Sequence, residues 1–219
     1  MKKHNSGIDR LLDIMAALRA PSGCPWDREQ NHQSIRFHAI EEVYELLDAI
    51  ETKDDPEMCE ELGDLLLQIV FHCQLAKERG AFDFDSVTQS ISDKLVRRHP
   101  HVFAGSKANS VTEVWTQWEK IKNLEKSGTK HERTSSFDGI PKHIPALLRV
   151  EKISKKAQKL GLLKPQPKTE TKSSLAQKLF DLTCRAQSQG WSAEELLRGK
   201  SRRQEKIWRN QEAKLVKVS

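Results

Sequence analysis

Residues 59–73 read CEELGDLLLQIVFHC. Three carboxylates, Glu60, Glu61 and Asp64, run directly into Leu65, Leu66, Leu67, Ile69, Val70 and Phe71. So much apolar surface belongs in a core, whereas carboxylates belong in water or beside a cation. Upstream, TKDDPE (Thr52 to Glu57) is a turn in which Pro56 opens a helix at its first position; downstream, Gly80 closes it near Arg79. Within that helix Glu61 and Asp64 stand at i, i+3 and are neighbours on one surface. Glu60 is turned about 100° away and reads as a surface residue. Leu67, Val70 and Phe71 lie on the far side from Leu62, Leu66, Ile69 and Cys73, so the helix is expected to be buried on several sides.

The preceding helix, Ile35 to Ile50, carries Ile40, Val43, Leu47 and Ile50 on one face and Glu41, Glu42, Glu45 and Asp48 elsewhere. Glu42 and Glu45 lie about 60° apart, roughly opposite the apolar stripe and on the side of His38 and Ala49. The short connection allows only an antiparallel hairpin. Two i, i+3 acid pairs then face one another, with Glu42 and Glu45 on one arm and Glu61 and Asp64 on the other. Four carboxylates at close quarters repel, and burial raises the cost of each charge. A divalent cation offsets both, and an all-oxygen set suits Mg²⁺, or Mn²⁺, rather than zinc. Taken singly, either pair also fits ordinary first-turn acids or a solvated helix face. Repetition on both arms favours the metal.

A cation held this way usually shares its shell with phosphate oxygens. SDKLVRRHPHVF (92–103) supplies Lys94 and Arg98 at i, i+4 with Arg97 beside them, a plausible phosphate clamp as well as an ordinary basic helix end. WTQWEKIK (115–122) adds Trp115, Trp118, Lys120 and Lys122, with one tryptophan a candidate for stacking on a nucleobase.

The periodicity is helical almost throughout, with no convincing strand alternation, so the fold class is all-α. Ile8 to Leu18 forms a first helix, ended by Pro21 to Pro25. Ser86 to Arg98 forms another, stopped by Pro100. Ser110 and Glu113 have capping-box spacing and open a helix ending near Gly128. A last helical stretch runs from Leu175 to about Leu215. SGTKHERTSS is polar and aperiodic, which divides the chain into 1–127, a linker at 128–136, and a looser 137–219.

The chain has 219 residues, 37% hydrophobic and 31% charged, as in a soluble globular protein. No run approaches the length of a membrane span, and the polar MKKHN start lacks a signal-peptide core, so a cytoplasmic location is expected. Cys24, Cys59, Cys73 and Cys184 show no CxxC pairing and read as reduced thiols. Residues 1–137 hold 18 Lys/Arg against 23 Asp/Glu, a balance of −5; residues 138–219 hold 19 against 8, a balance of +11. The basic half suits nucleic acid, a phosphorylated ligand or an acidic protein, although its aromatics are only Phe180, Trp191 and Trp208.

GCPWDREQ, EEVYELLDAI, EELGDLLLQIVF, FDF and SDKLVRRHPHVF, in that order, resemble the N-terminal half of MazG, the nucleoside triphosphate pyrophosphohydrolase family. The resemblance covers about residues 8–125, and the family's EExxE…ExxD signature falls on Glu41-Glu42-x-x-Glu45 and Glu61-x-x-Asp64. It implies an all-α pyrophosphatase bundle completed by dimerisation. It also implies Mg²⁺-dependent cleavage of nucleoside triphosphates between the α- and β-phosphates, in the manner of an enzyme that cleans the nucleotide pool. The implied metal ligands are Glu42, Glu45, Glu61 and Asp64. Glu41 or Glu45 would accept a proton, and Lys94 and Arg98 would contact phosphate.

FDGIPKHIPALLRVEKISKKAQKLGL resembles the segment that joins the two halves of full-length relatives. After it the second catalytic repeat departs from the pattern: KPQPKTETKS stands where an EExxE helix belongs. Ser174-Leu175-Ala176-Gln177 stands where Glu-Leu-Gly-Asp belongs, and Ile207 replaces a later arginine. Residues 137–219 therefore read as a shortened repeat without its metal site. Broad nucleotide specificity is expected, since little sequence remains for a discriminating base pocket. Two other readings use the same features: a nucleic-acid- or protein-binding module built on the basic half, and a metal-dependent hydrolase of another nucleotide such as an alarmone.

Overall fold

A computed structural model describes residues 6–129, 132–165, 167 and 169–216. It divides into two compact units, 1–118 and 119–219. Among the described residues all regular structure is helical, and no helix is long and apolar enough to cross a membrane.

The first unit contains α1 (Gly7–Arg19), α2 (Pro25–Glu29), α3 (His38–Thr52), α4 (Asp55–Glu78), α5 (Phe84–Arg98) and α6 (Pro100–Phe103). The boundary between the units falls inside α7 (Val111–Leu124). Helix starts are written locally: Ser6, Asp54 and Asp83 each accept a backbone N–H from the residue three positions on, satisfying donors a first turn cannot pair. Pro25 and Pro100, expected only to end helices, also open α2 and α6 at their first turns, where a missing N–H costs nothing. Between α1 and α2 the chain turns at Gly23, where a Cβ would lie 2.2 Å from the Leu18 carbonyl oxygen. The helix expected from Ile35 begins instead at His38. Ile35 lies in the preceding turn, 1% exposed, and joins Met15, Val70, Phe71 and Leu75 in the core between α1 and α4.

The hairpin of α3 and α4 forms as expected, joined by Lys53 and Asp54. Lys53 adopts φ 59°, in the left-handed region, and its N–H caps the carbonyls of Ala49 and Ile50. The face of α3 turned to α4 carries Glu42, Leu46 and Ala49, with Ala49 only 3% exposed. The apolar stripe points the other way. Ile40, Val43, Leu47 and Ile50 are 40–50% exposed, and so are Leu62 and Ile69 on α4, at 50% and 43%. The expectation that α4 is buried on several sides is thus corrected: Glu61, Gln68 and much of Val70–Ala76 are buried, while Leu62 and Ile69 stay open.

The second unit contains α8 (Ala146–Lys159), α9 (Lys172–Ser188) and α10 (Ala193–Val216). The last helical stretch expected from Leu175 to about Leu215 consists of two helices, broken at Gly190 (φ 72°). The core gathers Phe137, Ile153, Ala157 and Trp208. A buried ion network ties it together. Arg149 pairs with Glu205, and Arg209 bridges Glu205 and Asp138 at 2.7 Å each. Glu212 accepts hydrogen bonds from the Ser135 hydroxyl and the Ser136 backbone.

Candidate metal centre

The hairpin brings one carboxylate oxygen each from Glu42, Glu45 and Glu61 within 4.8 Å of one another. Glu42 and Glu45 come from successive turns of α3, and Glu61 faces them from α4. Glu61 is 7% exposed, and its Oε2 is buried with no hydrogen-bond partner among the described residues. Burial raises its pKa above the ordinary 4.5, and the charges of Glu45, Glu57, Asp64 and Glu42 add to the effect. Glu42 is raised likewise, by burial first and then by Asp64 and Glu45, with a hydrogen bond from Gln68 opposing. Asp64 is half-buried on the same α4 surface; it is not one of the three converging groups, yet its charge reaches both Glu42 and Glu61.

Three converging carboxylates, with Glu42 and Glu61 raised and one buried oxygen unpartnered among the described residues, lack a positive charge. Hard oxygen donors at this spacing fit a divalent cation. Among the described residues this is the one group of His, Cys, Asp or Glu side chains with that geometry. The second unit offers no counterpart at Ser174 to Gln177, where α9 begins.

The other candidates spread outward. Glu41 is exposed on the first turn of α3, its Oε2 2.9 Å from His38 Nδ1, apart from the three converging acids. Lys94 and Arg98 are half-buried on α5, which packs against α4, and Arg97 is exposed beside them. Trp115 is 61% exposed and meets Trp118 edge-on at 5.7 Å; Trp118 in turn stands against His99 at 4.9 Å. Lys120 is exposed and belongs to the second unit.

Two features beside the acids escaped the sequence reading. Gln68, 9% exposed, donates from Nε2 to Glu42 Oε1 at 3.2 Å. One turn further on, His72 Nδ1 lies 2.8 Å from Nδ1 of His32. His72 is lowered from the ordinary 6.5, by burial and then by His32. The signal was present: Glu61, Asp64, Gln68 and His72 recur at helical spacing along one side of α4, and Gln68 interrupts an otherwise apolar run.

A family model described as the MazG nucleotide pyrophosphohydrolase domain matches residues 30–103. The nucleoside triphosphate pyrophosphohydrolase of Escherichia coli K12 is 50% identical over 155 residues, covering 70% of this chain and 58% of that protein. The nucleoside triphosphate pyrophosphohydrolase/pyrophosphatase MazG of Thermotoga maritima is 45% identical over 161 residues, covering 74% and 60%. An uncharacterized 26.1 kDa protein from Streptomyces cacaoi is 37% identical over 193 residues, covering 86% of this chain and 77% of that one. The chain thus spans somewhat over half the length of the two named hydrolases.

Proposed function

We propose that the chain is a member of the MazG nucleotide pyrophosphohydrolase family, whose domain model matches residues 30–103, and that its first unit cleaves nucleoside triphosphates to the monophosphate and pyrophosphate. The observation that carries the reading is the convergence of Glu42, Glu45 and Glu61 within 4.8 Å around a buried carboxylate oxygen without a partner. Glu42, Glu45, Glu61 and Asp64 would hold Mg²⁺, with Mn²⁺ as a substitute. Bound by these carboxylates, such an ion would supply charge neutralisation for the triphosphate and lower the pKa of a water.

The chain's own groups do the rest. Glu41 or Glu45 accepts the proton of the attacking water. Lys94 and Arg98 stabilise the charge that develops on pyrophosphate, and Arg97 adds to the positive end of α5. Trp115 offers an open ring face to the base, a contact that stacks on any nucleobase and accords with broad specificity. In this reading the protein works in the cytoplasm, removing nucleotides from the pool.

The open stripes on α3 and α4 carry the second part of the proposal, a homodimer. A second copy would cover Ile40, Val43, Leu47 and Ile50 along with Leu62 and Ile69. Light scattering tests it: a monomeric mass at micromolar concentration, unchanged by Leu47→Glu, would remove the dimer.

For the activity, the purified protein is incubated with Mg²⁺ and each nucleoside triphosphate in turn, and the products are identified. Monophosphate plus pyrophosphate is expected, and Glu61→Ala or Asp64→Ala should reduce release to background. Diphosphate plus phosphate, or full activity in those variants, would sink the assignment.

A further inference from the structure

We infer that Gln68 is a positioning residue for the carboxylate cluster, its side-chain amide pinning one oxygen of Glu42 so that the other is directed at a cation. The inference rests on reading Glu42, Glu45 and Glu61 as a divalent-cation site. Gln68 is 9% exposed, and Nε2 donates to Glu42 Oε1 at 3.2 Å. It stands at i+4 from Asp64 and i+7 from Glu61, on the α4 surface that faces the acids of α3.

The residue type suits this task. The terminal torsion of a glutamate is broad, so an untethered carboxylate presents either oxygen to its surroundings. A neutral amide occupies one oxygen without cancelling the charge that attracts the cation. Lys or Arg at the same position would neutralise the cluster, and Glu or Asp would add another repelling charge. Groups that hold metal ligands from behind typically change affinity by about 10–100-fold when removed. A purely structural role, in which Gln68 fastens α3 to α4, makes a different prediction: the metal-free hairpin loosens, and the cation site suffers only as a consequence.

The test is Mn²⁺ binding to the full chain without nucleotide, followed by the electron paramagnetic resonance signal of free Mn²⁺, alongside the melting temperature of metal-free protein. Gln68→Met keeps length and volume but removes the donor. Gln68→Asn keeps the amide but withdraws it by one methylene. The wild type is expected to bind saturably, and both variants to bind about 10–100-fold more weakly with unchanged metal-free melting. Wild-type affinity in either folded variant would overturn the inference. So would a loss of affinity accompanied by a parallel fall in metal-free melting, since that assigns Gln68 to hairpin packing. Absence of Mn²⁺ binding by the wild type would be a separate result, removing the cation site itself and the inference with it.

Discussion

Glu61 in the first unit and Glu212 in the second are almost equally hidden, at 7% and 9% exposure. Glu61 keeps a buried oxygen without a partner, faces other carboxylates, and has a raised pKa. Glu212 is subject to the same upward push from burial, but bonds from Ser135 and Ser136 and the charge of Arg209 outweigh it and hold the group below 4.5. Asp138 follows the same course, with burial overridden by Arg209 and the backbone. Glu205 and Glu212 of the second unit are satisfied from within the chain, whereas Glu61 of the first keeps a buried oxygen without a partner among the described residues. The second unit keeps carboxylates in its interior but uses them as girders.

Breaking the girders should have the largest effect on stability. Arg149→Ala removes the partner of Glu205 Oε2 while Arg209 still holds Oε1, and is expected to cost about 1–3 kcal/mol for the unsatisfied buried oxygen, read as lost protection of α8 and α10 amides in hydrogen exchange. Glu61→Gln removes repulsion instead and should raise the melting temperature of metal-free protein while abolishing cation binding. If both substitutions destabilise, the contrast between the units disappears.

Acidity gives a second, intermediate test, with opposite signs in the two units. Glu42 and Glu61 are raised above 4.5 when folded. The folded first unit therefore binds protons more tightly than the unfolded chain, and without metal it should lose stability as pH rises from about 4.5 through the raised values. Glu212 and Asp138 are lowered from 4.5 and 3.8. Their contribution is present above those values and is lost as pH falls through the depressed ones. Hydrogen exchange resolved by unit between about pH 3 and 8 should show the first unit weakening as pH rises above about 4.5 and the second weakening only below it, with Mn²⁺ flattening the first unit's trend above about 4.5.

The smallest effect compares the two hairpin turns. Lys53 holds φ 59° with a side chain, whereas Gly190 holds φ 72° without one. Lys53→Gly should stabilise by about 0.5–1 kcal/mol and Gly190→Ala should destabilise by about 1 kcal/mol, measured by denaturant titration. Equal signs would mean that the turn conformation does not govern either hairpin.

Helical spacing was enough to place Glu42, Glu45 and Glu61 together, because i, i+3 pairs on two arms of a short hairpin have one way to meet. It was not enough to say which face of α3 had a neighbour. Periodicity groups Ile40, Val43, Leu47 and Ile50 on a face without stating what lies opposite, and here it is open. Gln68 was hidden by its context, since one amide in an apolar run reads as noise until its partner on another helix is known. The break between α9 and α10 was legible in principle: Ser192 accepts the N–H of Glu195 at 3.2 Å, an N-cap whose spacing is visible in GWSAEE. Pro25 and Pro100 misled because a proline that ends one helix is equally suited to begin the next.

The unpartnered oxygen of Glu61 also makes the fold a gauge of its ligand. A species that binds the folded hairpin and ignores the unfolded chain adds RT ln(1 + [L]/Kd) to stability, about 2.7 kcal/mol at a hundredfold excess over Kd. Melting temperature then becomes a concentration axis. A series of cations, each tried with and without a nucleotide, can be ranked by how far it moves the first unit, with the internally satisfied second unit as the built-in reference that should not move at all.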